Sequence, residues 1–226
     1  MDPISGYIFA SSQLKFVSSK SLNPGNNYDI ICYSLPGARL TGAFKQMLTI
    51  IANLKLPKRN FAVIYLGGND LDARREPRLS VFDIISAMCN FVRFVLFELH
   101  LVEKVFVYTL APRHDFVKNN LHKEFNRGIL NELHVLRLQG SVVVLNCSKF
   151  FFAKSSLRDN MTKRDGYHLT SRAVTILLRS LAVSLQQVYN LRWNFRQIFC
   201  RTTCSKCQSI IRHELCGHNS SQCVAL

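Results

Sequence analysis

The chain has 226 residues, 48% of them hydrophobic, with 29 Lys and Arg against 14 Asp and Glu. A domain of this length hides roughly 70% of its unfolded surface, so a full core can form and a mainly disordered chain is excluded. The net charge of +15 favours contact with the phosphates of nucleic acid or anionic lipid, and residues 151–226 carry 11 basic against 3 acidic side chains.

The predicted elements alternate along the chain. Tyr7-Ile8-Phe9-Ala10 is a short apolar run ending in Ser11-Ser12-Gln13, and Asn23 to Asn27 is a turn. Tyr28 to Tyr33 reads as a second strand closed by Pro36-Gly37. Residues 42–54 place Phe44, Met47, Leu48, Ile51 and Leu54 at helical spacing. Phe61-Ala62-Val63-Ile64-Tyr65-Leu66 is unbroken and β-prone, as in a strand covered on both faces. Ser80 can cap a long helix through about Leu99. Lys104 to Leu110 is a fourth strand stopped by Pro112, residues 121–138 return to helical spacing, and Ser141 to Asn146 is a fifth strand. A polar loop then leads to a last helix from Ser171 to about Val188.

Five strands alternating with helices imply a parallel sheet with right-handed crossovers. Such a sheet binds ligands outside the carboxyl ends of its strands. Ser12, Gly37 and Asn69 all fall just past such ends, and His168 lies on the loop that opens on the same edge.

These residues suit acyl transfer. A serine hydroxyl needs an imidazole to take its proton, and His168 is the candidate base for Ser12. Asp165, three residues earlier, can orient the ring. The amides of Ser12 and Gly37 with the Asn69 side chain would receive the oxyanion. Taken singly, each motif also reads blandly. Ser12, Gly37 and Gly67-Gly68-Asn69-Asp70 suit ordinary turns, and Asp165 to His168 suits a helix start capped by Thr170 or Ser171. His100, His114, His122 and His134 read as surface or satisfied-core residues; Arg113, past the fourth strand's end, could face the cleft but reads better as a solvated loop charge. Phe150-Phe151-Phe152 reads as cover for the sheet.

With its four blocks in this order, Ser12, Gly37, Gly67-Gly68-Asn69-Asp70 and Asp165-Gly166-Tyr167-His168, the chain resembles the SGNH hydrolases, also called GDSL-type esterases and lipases. Pro36 to Leu40 and Asp165 to Leu169 look most like the esterase-like domains of animal proteins and retroelements. The resemblance runs from about Tyr7 to Val188. It implies a three-layer, flavodoxin-like α/β fold with a five-stranded parallel sheet, and an esterase that needs no cofactor. The first block departs from the family's Gly-Asp-Ser, since this chain has Ala10-Ser11-Ser12. Alanine there is costly if the turn needs a positive φ, and Ser11 replaces a carboxylate that helps fix the block. A nucleophile displaced by about 1 Å can lose on the order of a hundredfold in rate.

The composition changes after about Asn190, which divides the chain into an SGNH-like domain, 1–190, and a basic Cys/His-rich tail, 191–226. In the tail, Cys204, Cys207, His213 and Cys216 have the donor types and spacing of one structural zinc site, with His218 and Cys223 able to replace the last pair. A disordered tail, or disulfides in an exported protein, remains the alternative reading. Cys32, Cys89 and Cys147 sit in apolar runs and read as buried free thiols of a reducing compartment. Met1-Asp2-Pro3 begins no signal peptide, and Phe91 to Leu101 is too short and charged to span a bilayer. An intracellular location, cytoplasmic or nuclear, is therefore expected. Two functions stay open: hydrolysis of a small carboxylic ester, or a catalytically impaired SGNH-like domain that binds RNA or another polyanion.

Overall fold

The structure is a computed structural model. It describes residues 4–11, 14, 28–40, 42, 49, 52–72, 79–113, 116–146, 148–153, 156–157, 161–163, 165 and 168–189. Ser12, Cys147 and the whole Cys/His-rich segment after Tyr189, with Cys204, Cys207, His213 and Cys216, lie outside the described residues.

The five expected strands form one all-parallel sheet. They are β1 (Ile4–Ser11), β2 (Tyr28–Leu35), β3 (Arg59–Tyr65), β4 (Val102–Tyr108) and β5 (Val142–Leu145), in the order β2-β1-β3-β4-β5. The chain therefore reverses its direction of winding between β1 and β3, and the crevice where ligands bind in open sheets opens at their carboxyl ends. In-register pairing sets Ala10 beside both Ser34 and Tyr65. The loops that follow these three strands thus leave the sheet next to one another.

Alternation along the strands makes the two faces. Tyr7, Phe9 and Tyr33 stack on one, where Phe9 meets the edge of Phe91 from the first long helix at 5.8 Å. Phe61, Tyr65, Phe106 and Tyr108 occupy the other, under the last helix. There the Tyr108 hydroxyl donates to the Leu177 carbonyl, and the Tyr189 hydroxyl donates to the carbonyl of Asn60 at 3.0 Å. With both faces covered, β3 and β4 read as unbroken apolar runs, and Phe61 to Ile64 and Val105 to Val107 are fully buried.

The helices follow their sequence signals with instructive exceptions. α1 (Gly68–Leu71) is a single turn directly after β3, where sequence showed only a turn-like Gly-Gly-Asn-Asp. α2 (Val81–Arg93) starts on a capping box, with Ser80 Oγ accepting from the Asp83 amide at 3.1 Å and the Asp83 carboxylate accepting from the Ser80 amide at 3.0 Å. The helix expected to reach Leu99 changes pitch at Phe94, and Phe94–Glu98 is a π turn closed by the Leu99 amide on the Phe94 carbonyl. The 121–138 helix is two pieces, α3 (Phe116–Glu132) and α4 (His134–Leu138), interrupted at Leu133. The expected polar loop holds a one-turn α5 (Ser148–Phe151) and a two-residue hairpin, β6 (Phe152–Ala153) with β7 (Ser156–Leu157). Phe151 is fully buried, as cover for the sheet requires. α6 (Ser171–Tyr189) is capped by Thr170, whose Oγ1 accepts from the Ala173 amide at 3.3 Å.

Cys89 is buried and free, whereas Cys32 is free but only half-buried, because β2 is an edge strand. Burial pushes both thiols up to about 11, so neither is a ready nucleophile. Among the described residues, no helix is long and apolar enough to cross a membrane.

Candidate active site

The first expected block ends in a regular strand. Ala10 is extended and fully buried within β1, so the positive φ that would make alanine costly there does not occur. Ser11, also buried, closes the strand, and its carbonyl accepts from Ser34 Oγ at 2.7 Å. Ser12 is the next residue.

The second and third blocks are tied directly together. Gly37 sits at φ +73 in the turn after β2, an angle that favours glycine. One residue on, the Ala38 carbonyl accepts from Asn69 Nδ2 at 2.9 Å, and the Leu40 amide donates to Asp70 Oδ2 at 2.8 Å. Each member of the Asn69-Asp70 pair therefore grips the Gly37 loop with a different chemistry, one as donor and one as acceptor. An amide nitrogen carries two hydrogens, so the Ala38 bond uses only one of the two Asn69 donors.

Gly67 makes this turn. Its φ of +100 lies in the left-handed region, and a Cβ there would stand 2.9 Å from the buried Phe125 ring. We expect Gly67→Ala to destabilise the fold by roughly 2–4 kcal/mol, combining left-handed strain with overpacking. Chemical denaturation at constant m-value would measure it.

The fourth block forms the expected pair. His168 Nδ1–H donates to Asp165 Oδ2 at 2.7 Å, and the His168 amide donates to Asp165 Oδ1 at 2.9 Å. Both carboxylate oxygens are thus engaged by one residue, which sets the imidazole's tautomer and leaves Nε2 as the basic nitrogen of the neutral ring. Partial burial works to raise the Asp165 carboxyl, but the two His168 bonds, with the His168 and Lys163 charges, outweigh it and hold the group below its ordinary range. The helix-start geometry and the Asp–His pair coexist, since Thr170 caps α6 just beyond.

Sequence reasoning missed a second charged set beside Asn69. Arg113, read as a solvated loop charge, is 6% exposed, and its guanidinium bonds Asp72 Oδ2 at 2.6 Å. His122 from α3 is 2% exposed, with Nε2 3.7 Å from Asp72 Oδ1, longer than a hydrogen bond, and with Nδ1–H donating to the Ala111 carbonyl at 2.8 Å. Burial tends to raise the Asp72 carboxyl, yet His122 and Arg113 together hold it low. Spacing along the chain could not have found this set, because 72, 113 and 122 come from three separate elements. Of the other histidines, His100 and His134 are exposed, and His114 lies outside the described residues.

A cavity of about 10 Å³ is lined by Ser11, Tyr65, Gly68, Asn69, Arg113 and His122, at the carboxyl ends of β1, β3 and β4. A far larger one, about 600 Å³, runs along the β5 edge against α6, lined by Val143, Phe150, Ile176 and Val183. Chemistry rather than volume selects the site. The larger cavity contains no member of the four blocks, whereas the small one contains Asn69. Among the described residues, no group of three or more metal-ligand side chains comes together.

Solved structures share this arrangement of sheet and helices. A lipase/acylhydrolase from Enterococcus faecalis superposes with TM-score 0.63 at 13% identity, covering 81% of this chain and 96% of that one. A GDSL-like lipase from Bacteroides thetaiotaomicron gives 0.63 at 13% identity, with 83% and 92% covered. The acetyl xylan esterase AlAXEase gives 0.64 at 14% identity, with 80% and 100% covered. The chain therefore has the SGNH hydrolase fold. No family model and no curated sequence matches it.

Proposed function

We propose that this chain is a serine esterase acting on carboxylic esters. Ser12 Oγ attacks the ester carbonyl carbon as its proton passes to His168 Nε2, and the carbonyl π electrons move onto oxygen. The amides of Ser12 and Gly37 and the second Asn69 N–H receive that oxyanion. Collapse expels the alcohol, which takes the proton from His168. Water then attacks the acyl-Ser12 ester by the same route, with His168 as base, and releases the acid. Asp165 keeps the ring in the tautomer that both steps need.

The observation that carries this reading is the bonded Asp165–His168 pair just before α6, and the bonds that lace the Gly37 and Asn69 loops together after β2 and β3 add to it. Lipases, acylhydrolases and acetyl xylan esterases with this fold lend support. In the test, purified protein and its Ser12→Ala variant are given 4-nitrophenyl acetate. Loss of turnover by at least 10³-fold is expected; equal rates would retire the serine mechanism.

A second reading rests on the net charge of +15. In it, the basic surface, and the tail with or without zinc, bind RNA or another polyanion. Fluorescence polarisation of a labelled single-stranded RNA should then show affinity falling linearly in log–log salt, with slope about −0.7 per phosphate neutralised. A flat salt response removes this reading and leaves the esterase proposal untouched.

A further inference from the structure

We propose that Arg113 is a positioning residue for ester hydrolysis: through Asp72, and with His122, it fixes the turn that carries Asn69. This rests on the esterase reading above.

Asn69 sits on α1, a helix of 4 residues. One turn makes too few hydrogen bonds to hold its own shape, because helix nucleation is unfavourable. Its geometry must come from outside. Asp72, the residue that ends the turn, closes it by its amide, which donates to the Gly68 carbonyl at 2.9 Å. Its carboxylate supplies the outside anchor through the 2.6 Å bond to Arg113, which follows β4. Arg113 in turn is set by its own amide, which donates to Asn119 Oδ1 of α3 at 3.3 Å. His122, fixed by its bond to the Ala111 carbonyl, brings α3 to the other carboxylate oxygen.

The guanidinium also packs beside the turn: a Cβ on Gly68, the residue before Asn69, would stand 3.4 Å from Arg113 Nη2. Arg113, His122 and Asn69 line one cavity. The turn that carries Asn69 thus has two supports, the bond from Asn69 itself to the Ala38 carbonyl and the Arg113–Asp72 bond at its end.

Stability by itself does not call for such a set. All three side chains are at least nine-tenths buried, and apolar residues of similar volume are often as stabilising as a buried ion pair, or more so. What charged partners add here is direction. A bidentate-capable guanidinium defines the angle at which the carboxylate, and so the turn, is presented.

The experiment separates the two roles. In the Asp72→Leu/Arg113→Met double variant, packing volume is kept and direction is lost. We expect a melting temperature close to wild type, with kcat for 4-nitrophenyl acetate down about thirtyfold and KM within about twofold, inside the hundredfold that a displacement near 1 Å can cost. Arg113→Lys keeps the charge without the planar fork, and a kcat loss of about tenfold at unchanged KM and melting temperature is expected. Wild-type kcat in a folded double variant would overturn the assignment and leave the set merely structural. If the double variant does not fold, wild-type kcat in Arg113→Lys overturns it instead. A wild-type rate equal to that of Ser12→Ala is a different failure: it removes the esterase reading, and this inference with it.

Discussion

Replacing His168 with glutamine is expected to lower kcat for aryl-ester hydrolysis by roughly 10⁴-fold, the scale on which a member of a Ser-His-Asp set contributes. The size follows from its double task, since the same nitrogen takes the serine proton and returns it to the leaving alcohol. Glutamine can donate a hydrogen bond but cannot carry that proton. Stability should hardly move, because the His168 and Asp165 side chains are 38% and 45% exposed and exposed substitutions usually cost little. Burst and steady-state kinetics, with a thermal melt on the same sample, would separate lost chemistry from lost fold. Asp165→Asn should cost less, its charge being partly screened by solvent. The sign of the pH effect follows from Asp165. Its folded-state pKa is depressed, so its contribution is complete above the unfolded carboxyl value and fades only as pH falls through the lowered one. The Asn variant should lack that acid limb.

Asn69→Ala is expected to reduce kcat by 10²–10³-fold, the typical effect of removing one oxyanion donor, with KM little changed. It should also cost on the order of 1 kcal/mol of stability, because the Ala38 carbonyl loses its 2.9 Å donor. Asn69→Asp gives a sharper contrast. The aspartate has no donor for either oxygen, and it sets a negative charge against both the Ala38 carbonyl and the developing oxyanion. Its kcat should fall below that of the alanine variant. Rates in Asn69→Ala equal to wild type would place the oxyanion elsewhere.

The parts of the site that sequence revealed were those carried by contiguous chain. Asp165 and His168 are three residues apart, so their bond is local and could be anticipated from residue types and spacing. Gly67-Gly68-Asn69-Asp70 follows an unbroken apolar run, which marks the carboxyl end of a central strand. The cost expected at Ala10 did not arise, since the strand runs one residue further than the apolar run suggested and keeps that backbone extended. Arg113 misled for the opposite reason. A charged residue after Pro112 looks like a solvated loop, and only the arrival of Asp72 and His122 from distant elements makes its burial tolerable. The π turn at Phe94 has no sequence mark of its own, because apolar periodicity continues through it.

By itself, then, the sequence determined the five strands, the helices that follow β3, β4 and β5, the edge on which the blocks emerge and the Asp–His pair. Each rests on local patterning: β-prone runs, helical spacing, capping residues and short-range side-chain reach. Tertiary structure alone decided that the Gly37 and Asn69 loops are bonded through Ala38, Leu40 and Asp70, and that Arg113 is buried against Asp72 beside His122. The hydrogen bonds among those contacts join residues 30 to 41 positions apart and depend on strand order and register, which no local pattern encodes.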